Sequence, residues 1–230
     1  MAETHSEFRE QAAALGVAVS TDQSTQLFRL LDELERWNRA YNLTRIDSRQ
    51  AMVTQHLLDS LAASADLRGE RVADLGTGAG FPGLPLAIVH PDRQFTLIDA
   101  TAKKIRFVAH AVRTLGLKNV QALHARAESM RPERGFDTIV VRAVASLSEL
   151  ISLAGPLARR GTVLLAYKGQ RPDAEIAAIP REWQPARVRP VQIPGLAAER
   201  CLVTLVAPGA PGAADAAELG NCDPESTRAN

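Results

Sequence analysis

Residues 71–83 read Arg-Val-Ala-Asp-Leu-Gly-Thr-Gly-Ala-Gly-Phe-Pro-Gly, a short apolar run that breaks into glycine at alternate positions. No other segment restricts the fold as much. An aliphatic run ending in such a loop is a strand that feeds straight into a helix, the entry unit of a doubly wound α/β sheet. Gly76, Gly78 and Gly80 permit turns barred to residues with a Cβ, so a ligand can lie directly on the main chain. Pro82 suits the first turn of the following helix, where a missing N–H costs nothing.

Charge narrows the ligand. Dinucleotides place a pyrophosphate on a loop spaced G-x-G-x-x-G, whereas here the spacing is G-x-G-x-G and Phe81 occupies the sixth position. Asp74, two residues before the first glycine, repels a pyrophosphate and attracts a cation. S-adenosylmethionine carries a sulfonium and an ammonium group and no phosphate, so an acidic residue beside the glycines suits it, with Asp74 and the loop at its methionine part. Residues 94–99 form a second apolar strand ending in Asp99, where the doubly wound fold hydrogen-bonds the ribose hydroxyls of an adenosine.

Around this unit the chain divides by pattern. In residues 1–70, Leu27, Leu30, Leu31, Leu34, Trp37 and Tyr41 recur at helical spacing after the cap candidates Thr21 and Asp22. A further helix, capped by Asp47 or Ser48, runs through Met52, Val53, His56, Leu57 and Leu61. From residue 71, strands are expected at 71–75, 94–99, 119–123, 136–141, 161–167, 186–193 and 200–206. Helices are expected near 83–90, 101–115, 147–158 and 172–179. The expected fold class is therefore α/β: a mostly parallel seven-stranded sheet with helices on both faces, of the class I (Rossmann-like) methyltransferase kind. Its organisation is an N-terminal helical cap (1–70), a S-adenosylmethionine-binding domain (71–207) and a disordered tail (208–230).

At 46% hydrophobic residues the chain can bury one substantial core, and no apolar stretch is long enough for a membrane span or a signal peptide. A cytoplasmic monomer without a membrane partner is the expectation. Cys201 and Cys222 are too few for a disulfide framework or a zinc site, and no metal is expected. The net charge of +1 conceals an asymmetry: residues 1–70 carry −4, residues 71–207 carry +8, and the tail −3. A basic middle segment favours a polyanionic partner.

In the helix after residue 99, Ile105, Val108, Ala109 and Val112 mark the buried stripe, with Lys103, Arg106, His110 and Arg113 on another face. Such a face is usually solvated, but its first residues lie at the carboxyl rim of the sheet, where ligands bind, so Lys103, Lys104 and Arg106 are candidates to hold a substrate phosphate near the cofactor. Arg142 and Lys168 take equivalent rim positions after later strands. Arg142 has a structural alternative, an ion pair with Asp137 or Glu149. Asp59 and His56, on a helix ahead of the sheet, read as a packing contact, and Phe81 as a residue packing the cofactor from an exposed loop.

The ordered set Trp37-Asn38-Arg39-Ala40-Tyr41-Asn42-Leu43-Thr44, His56-Leu57-Leu58-Asp59-Ser60, the loop from Asp74 to Gly83, and Lys103-Lys104-Ile105-Arg106-Phe107 continues with Arg126-Ala127-Glu128, Val141-Arg142-Ala143 and Lys168-Gly169. Together these resemble the bacterial small-subunit rRNA guanine-N7 methyltransferases of the glucose-inhibited-division B family. The resemblance implies methylation of one guanine of 16S rRNA near the decoding region, in free RNA or an assembling subunit. It also implies cofactor contacts at Gly76, Phe81, Ala127, Glu128 and Arg142; Gly78 and Asp99 join them from the loop and strand argument.

The residues agree with that target. Pyrimidine C5 methylation needs a thiolate, and Cys201 lies in the last strand; exocyclic amine methylation commonly uses an Asn/Asp-Pro-Pro-aromatic motif, where this chain has Arg142-Ala143-Val144. Guanine N7 has a lone pair and needs no deprotonation, so no catalytic base is assigned and Arg142 is a positioning candidate. Two other readings stay open: a small-molecule or protein methyltransferase on the same fold, and a non-catalytic RNA-binding module.

Overall fold

The computed structural model describes residues 2–142, 146–183 and 186–208. Helix α1 (Ala2–Ala14) and helix α2 (Thr21–Tyr41) lead into a broken helix made of α3 (Arg49–Met52), a π-helical turn (Val53–Leu58) and α4 (Asp59–Leu61). Then β1 (Arg71–Leu75), α5 (Gly83–Val89), β2 (Gln94–Asp99), α6 (Ala102–Leu115), β3 (Val120–His124) and β4 (Phe136–Arg142) alternate. Helix α7 (Leu147–Ala154), β5 (Ala158–Lys168), α8 (Asp173–Ala178), β6 (Arg187–Val191) and β7 (Arg200–Val206) complete the order.

The seven strands form one sheet in the order β3-β2-β1-β4-β5-β7-β6. Strands β1 to β5 pair in parallel, and β7 runs antiparallel to both β5 and β6. The expected class holds, with strand limits shifted at several ends. The order reverses between β1 and β4, which places the glycine loop at the switch point, where open α/β sheets bind ligands. Because β7 is antiparallel, its first residues pair with the last of β5, Lys168 opposite Cys201. Arg200 therefore arrives at the same rim as the carboxyl ends of the parallel strands.

One core lies between the sheet, α5, α6 and the helices before residue 70, joining Phe8, Leu27, Leu31 and Leu57 to Leu84, Phe95 and Phe107. The other face carries α7 and Trp183, packed on Ile139, Leu164 and Leu205. No described helix is long and apolar enough to cross a membrane. The acidic tail, with Cys222, lies outside the described residues from 209 onward.

Several local expectations shift for physical reasons. Helix α2 is capped by Ser20, not Thr21 or Asp22: Ser20 accepts from the Gln23 N–H at 3.1 Å, and the Gln23 side chain accepts from the Ser20 N–H at 2.9 Å. Ser48, not Asp47, caps α3. In α6 the fully buried residues are Ile105, Phe107, Val108, Ala111 and Leu115, while Ala109 and Val112 are half-buried. The stripe widens because the charged face of α6 meets α2, where His110 contacts Glu33 at 2.7 Å and Lys103 donates to the Tyr41 carbonyl at 3.1 Å. Pro82 stands just ahead of α5 as its N-cap.

Candidate functional site

The glycine loop is tied down from behind. Gly76, Gly78 and Gly80 have φ of +67°, +61° and +88°, a region that favours glycine. Asp74 is wholly buried beneath the loop, and its Oδ2 accepts from Thr77 Oγ1 at 2.6 Å and from the Gly83 N–H at 2.8 Å. The first bond stays within the turn and the second fastens the start of α5. The carboxylate therefore organises the loop from inside through Oδ2. Its Oδ1 is buried without a hydrogen-bond partner among the described residues.

Burial pushes the Asp74 carboxyl up to about 6, against the pull of the Thr77 and Gly83 hydrogen bonds and the Arg142 charge. A folded-state value above the unfolded one means that the folded chain binds more protons. The contribution is thus largest below the unfolded value near pH 4 and is lost as pH rises through 6. Asp74→Asn keeps an oxygen for both donors and removes the titration. At about 1.4 kcal/mol per pKa unit, wild type is expected to lose about 1.4 kcal/mol relative to this variant between pH 5 and pH 7.5. Urea melts of both proteins at the two pH values check this, and parallel stabilities would show that Asp74 does not titrate there.

At the carboxyl ends of β1, β2 and β4 lies a cavity of about 210 Å³, lined by Leu75, Gly76, Ile98 and Asp99 on one side and by Ala127, Glu128 and Leu150 on the other. Asp99 is buried at its edge. Its Oδ2 accepts from the Gly78 N–H at 2.9 Å, its Oδ1 from the Thr101 N–H at 2.8 Å, and Lys104 Nζ stands 3.6 Å away. A carboxylate offers about four lone-pair sites, so each oxygen retains one for a ligand hydroxyl. Aliphatic walls with a carboxylate at the mouth fit the purine and ribose of an adenosyl group.

A second cavity, of about 410 Å³, opens at β4, β5 and β7, with Gln55, His56, Asp59, Arg142, Lys168 and Arg200 in its lining. The Arg142 Nη1 donates to the Gln55 carbonyl at 2.7 Å and to Asp59 Oδ2 at 3.0 Å. Arg200 Nε donates to the other oxygen, Asp59 Oδ1, at 3.2 Å. Neither sequence-level partner of Arg142 is used: Asp137 pairs with Arg159, and Glu149 caps α7 through Ser146. Tyr167 donates its hydroxyl to the Ser60 carbonyl at 2.6 Å.

The two cavities adjoin at β4, where Val141 lines the first and Arg142 the second, and Phe81 lies beside Arg142. Far from being exposed, this ring is buried, stacked on His56 at 4.5 Å with the Arg142 guanidinium 5.8 Å from its centre. His56 Nε2 contacts Thr44 Oγ1 at 3.1 Å, and Thr44 is held by Asn38 on both its N–H and its carbonyl. Thr44 Oγ1 also accepts from the Ile46 N–H at 3.1 Å, and His56 Nδ1 is buried without a hydrogen-bond partner among the described residues. Burial first, then the Arg142 charge, lowers the His56 pKa to about 3, so the ring is neutral at pH 7.

The structure thus gathers Gly76, Asp99, Ala127 and Glu128 around the first cavity, and Arg142 and Lys168 around the second. Gly78 is engaged by Asp99. Lys103 and Arg106 are exposed on α6 and line neither cavity, and Lys103 is spent on the Tyr41 carbonyl, which holds α2 to α6. Lys168 pairs with Glu175 at 2.8 Å. Sequence reasoning missed Gln55, Tyr167 and Arg200 as site residues, and for His56 and Asp59 it favoured a packing and hydrogen-bonding contact over a catalytic pair. The signal for Arg200 was its place at the start of an antiparallel last strand, which delivers its first residue to the ligand rim.

A family model described as GidB, rRNA small subunit methyltransferase G, matches residues 23–203. The chain is 48% identical over 191 residues to the ribosomal RNA small subunit methyltransferase G of Methylococcus capsulatus, covering 83% of this chain and 93% of that one. It is 42% identical over 188 residues to the protein of that name from Aeromonas salmonicida, covering 82% and 90%. Among solved structures, a SAM-dependent methyltransferase from Aquifex aeolicus superposes with a TM-score of 0.51 at 19% identity, over 72% of this chain and 96% of that one. Its likeness bears on the fold alone.

Proposed function

This chain belongs to the rRNA small subunit methyltransferase G family, and from that premise we propose that it methylates N7 of a single guanine of 16S rRNA presented in the Arg142 cavity. It is an S-adenosylmethionine-dependent rRNA methyltransferase; the position methylated and the residues assigned below are the inference. When bound, S-adenosylmethionine supplies an activated methyl group on a sulfonium. Asp99 accepts from the ribose hydroxyls, the walls around Ala127 and Leu150 enclose the purine, and Gly76 and Gly78 give a main-chain surface beside the charge of buried Asp74.

The observation that carries N7 chemistry is that, among the described residues, the acid and imidazole side chains lining the Arg142 cavity are already engaged. Asp59 is held between Arg142 and Arg200, and His56 is a weak base near 3. Burial, with the Asp59 charge, keeps the Tyr167 phenol protonated well above its usual range. Cys201 lies outside the Arg142 cavity, its thiol donates to the Gln170 carbonyl at 3.5 Å, and burial raises its pKa. A lone pair that needs no deprotonation suits such a site, which works by alignment, worth up to roughly 7–11 kcal/mol.

Methylation at N7 makes the guanine cationic and its glycosidic bond labile. Treating 16S rRNA with the enzyme and donor, then with mild reductant and aniline, is expected to cut the chain at one position. A methyl group recovered on carbon, ribose or an exocyclic amine would overturn the N7 reading.

A further inference from the structure

A third and larger cavity, of about 820 Å³, continues along the same rim beyond β5. Its roof is the loop of residues 192–199 that joins β6 to β7. The loop is anchored: the Leu196 N–H donates to the Ile193 carbonyl at 3.0 Å, and Ile193 and Leu196 pack into the first core. Gly195, at φ +77°, lies beside the π-helical turn, where a Cβ would make ordinary contact with Thr54 Oγ1 at 3.5 Å. The cavity shares Gly169 and Arg200 with the Arg142 cavity, so the two adjoin.

We propose that this cavity is a second nucleotide subsite, which seats the nucleotide adjoining the methylated guanine in the same RNA strand. The inference rests on RNA being the substrate. A base that is methylated inside an RNA chain must be splayed out of its stack, and its neighbour, one phosphate away, needs a separate place. The cavity chemistry matches. Val188, Pro190 and Leu196 offer apolar surface to the face of a base, and the volume falls within the range of about 300–1,000 Å³ usual for ligand sites. Arg171 also lines this cavity, and Arg200 stands where it joins the Arg142 cavity, so a cation marks the passage of the linking phosphate. Arg171 is exposed and paired with Asp173, an ion pair of little worth that a phosphate can replace.

Two variants test this without disturbing the buried core. Ala197→Trp fills the cavity from an exposed loop position, and Arg171→Ala removes the outer cation. With protein-free 16S rRNA as substrate, KM for the RNA is expected to rise about tenfold in Ala197→Trp, the loss when one base is denied its seat, and by a similar factor in Arg171→Ala, which removes a charge-assisted contact to the linking phosphate. The kcat and the affinity for S-adenosylhomocysteine by calorimetry are expected to stay within about twofold of wild type. Direct ultraviolet crosslinking of unmodified 16S rRNA, which does not depend on the identity of the neighbouring base, is expected to yield a peptide from residues 192–201.

A wild-type KM in a variant that still binds S-adenosylhomocysteine, or crosslinks confined to other segments, overturns the subsite. Loss of kcat at constant KM overturns it too, since the loop would then only shape the Arg142 cavity. A wild-type enzyme that leaves 16S rRNA unmethylated sinks the substrate reading, and the subsite with it.

Discussion

Arg142→Ala is expected to lower the methylation rate at least 100-fold while the chain stays folded. Arg142 is fixed by the Gln55 carbonyl and Asp59 on one side and lies over Phe81 on the other, and it follows Val141 of the first cavity's lining, so it stands where the two linings adjoin. A misplacement of about 1 Å between reacting groups costs on the order of 100-fold. Stability should fall by less than the 3–5 kcal/mol typical of a broken buried pair, because Asp59 keeps Arg200. Arg142→Lys retains the charge and a nitrogen for the two acceptors that Nη1 serves, but lacks the planar guanidinium that lies over Phe81, so it should recover only part of the rate. Single-turnover methyl transfer to 16S rRNA, with thermal melts as control, measures both effects. A folded Arg142→Ala protein within threefold of wild type would remove this residue from alignment.

Asp99→Ala is expected to weaken S-adenosylmethionine binding tenfold or more and to leave RNA affinity nearly unchanged. The substitution removes acceptors for the ribose hydroxyls and strands the Gly78 and Thr101 N–H groups, which hold the loop and the entry to α6. A hydrogen bond to a charged group is worth about 1.5–3 kcal/mol, so losing even one gives at least a tenfold change. Asp99→Asn preserves one acceptor and should lie between the two. Calorimetry with the cofactor and anisotropy with labelled RNA separate the outcomes. Unchanged cofactor affinity in a folded variant would place Asp99 outside the site.

The parallel half of the sheet was legible because β1 and β2 are bounded by glycine and by Asp99, and because the stripes of α2 and α6 repeat at helical spacing. The first cavity was legible for the same reason: the strand-to-helix turn fixes where Gly76 and Asp99 must stand. The second was not, because its parts come from distant segments that only the tertiary fold unites, Gln55 and Asp59 before the sheet and Arg200 from its last strand. Phe81 looked exposed because loops usually are; His56, from the N-terminal helices, covers it. The basic face of α6 looked like a single RNA contact because spacing does not reveal that α2 lies against part of it.

The π-helical turn at Val53–Leu58 gives the helix one residue more than an α-helical path over the same span would hold, and the Asp59 N–H reaches back to the Thr54 carbonyl. Each residue of an α-helix advances the chain by about 100° around its axis. The surplus residue therefore decides which way Asp59 and Ser60 point, and so whether one reaches Arg142 and the other Tyr167. The number of residues in this segment is as much a determinant of the site as their identity. A one-residue gap within it, in a sequence otherwise alike, would mark a chain whose carboxylate faces elsewhere.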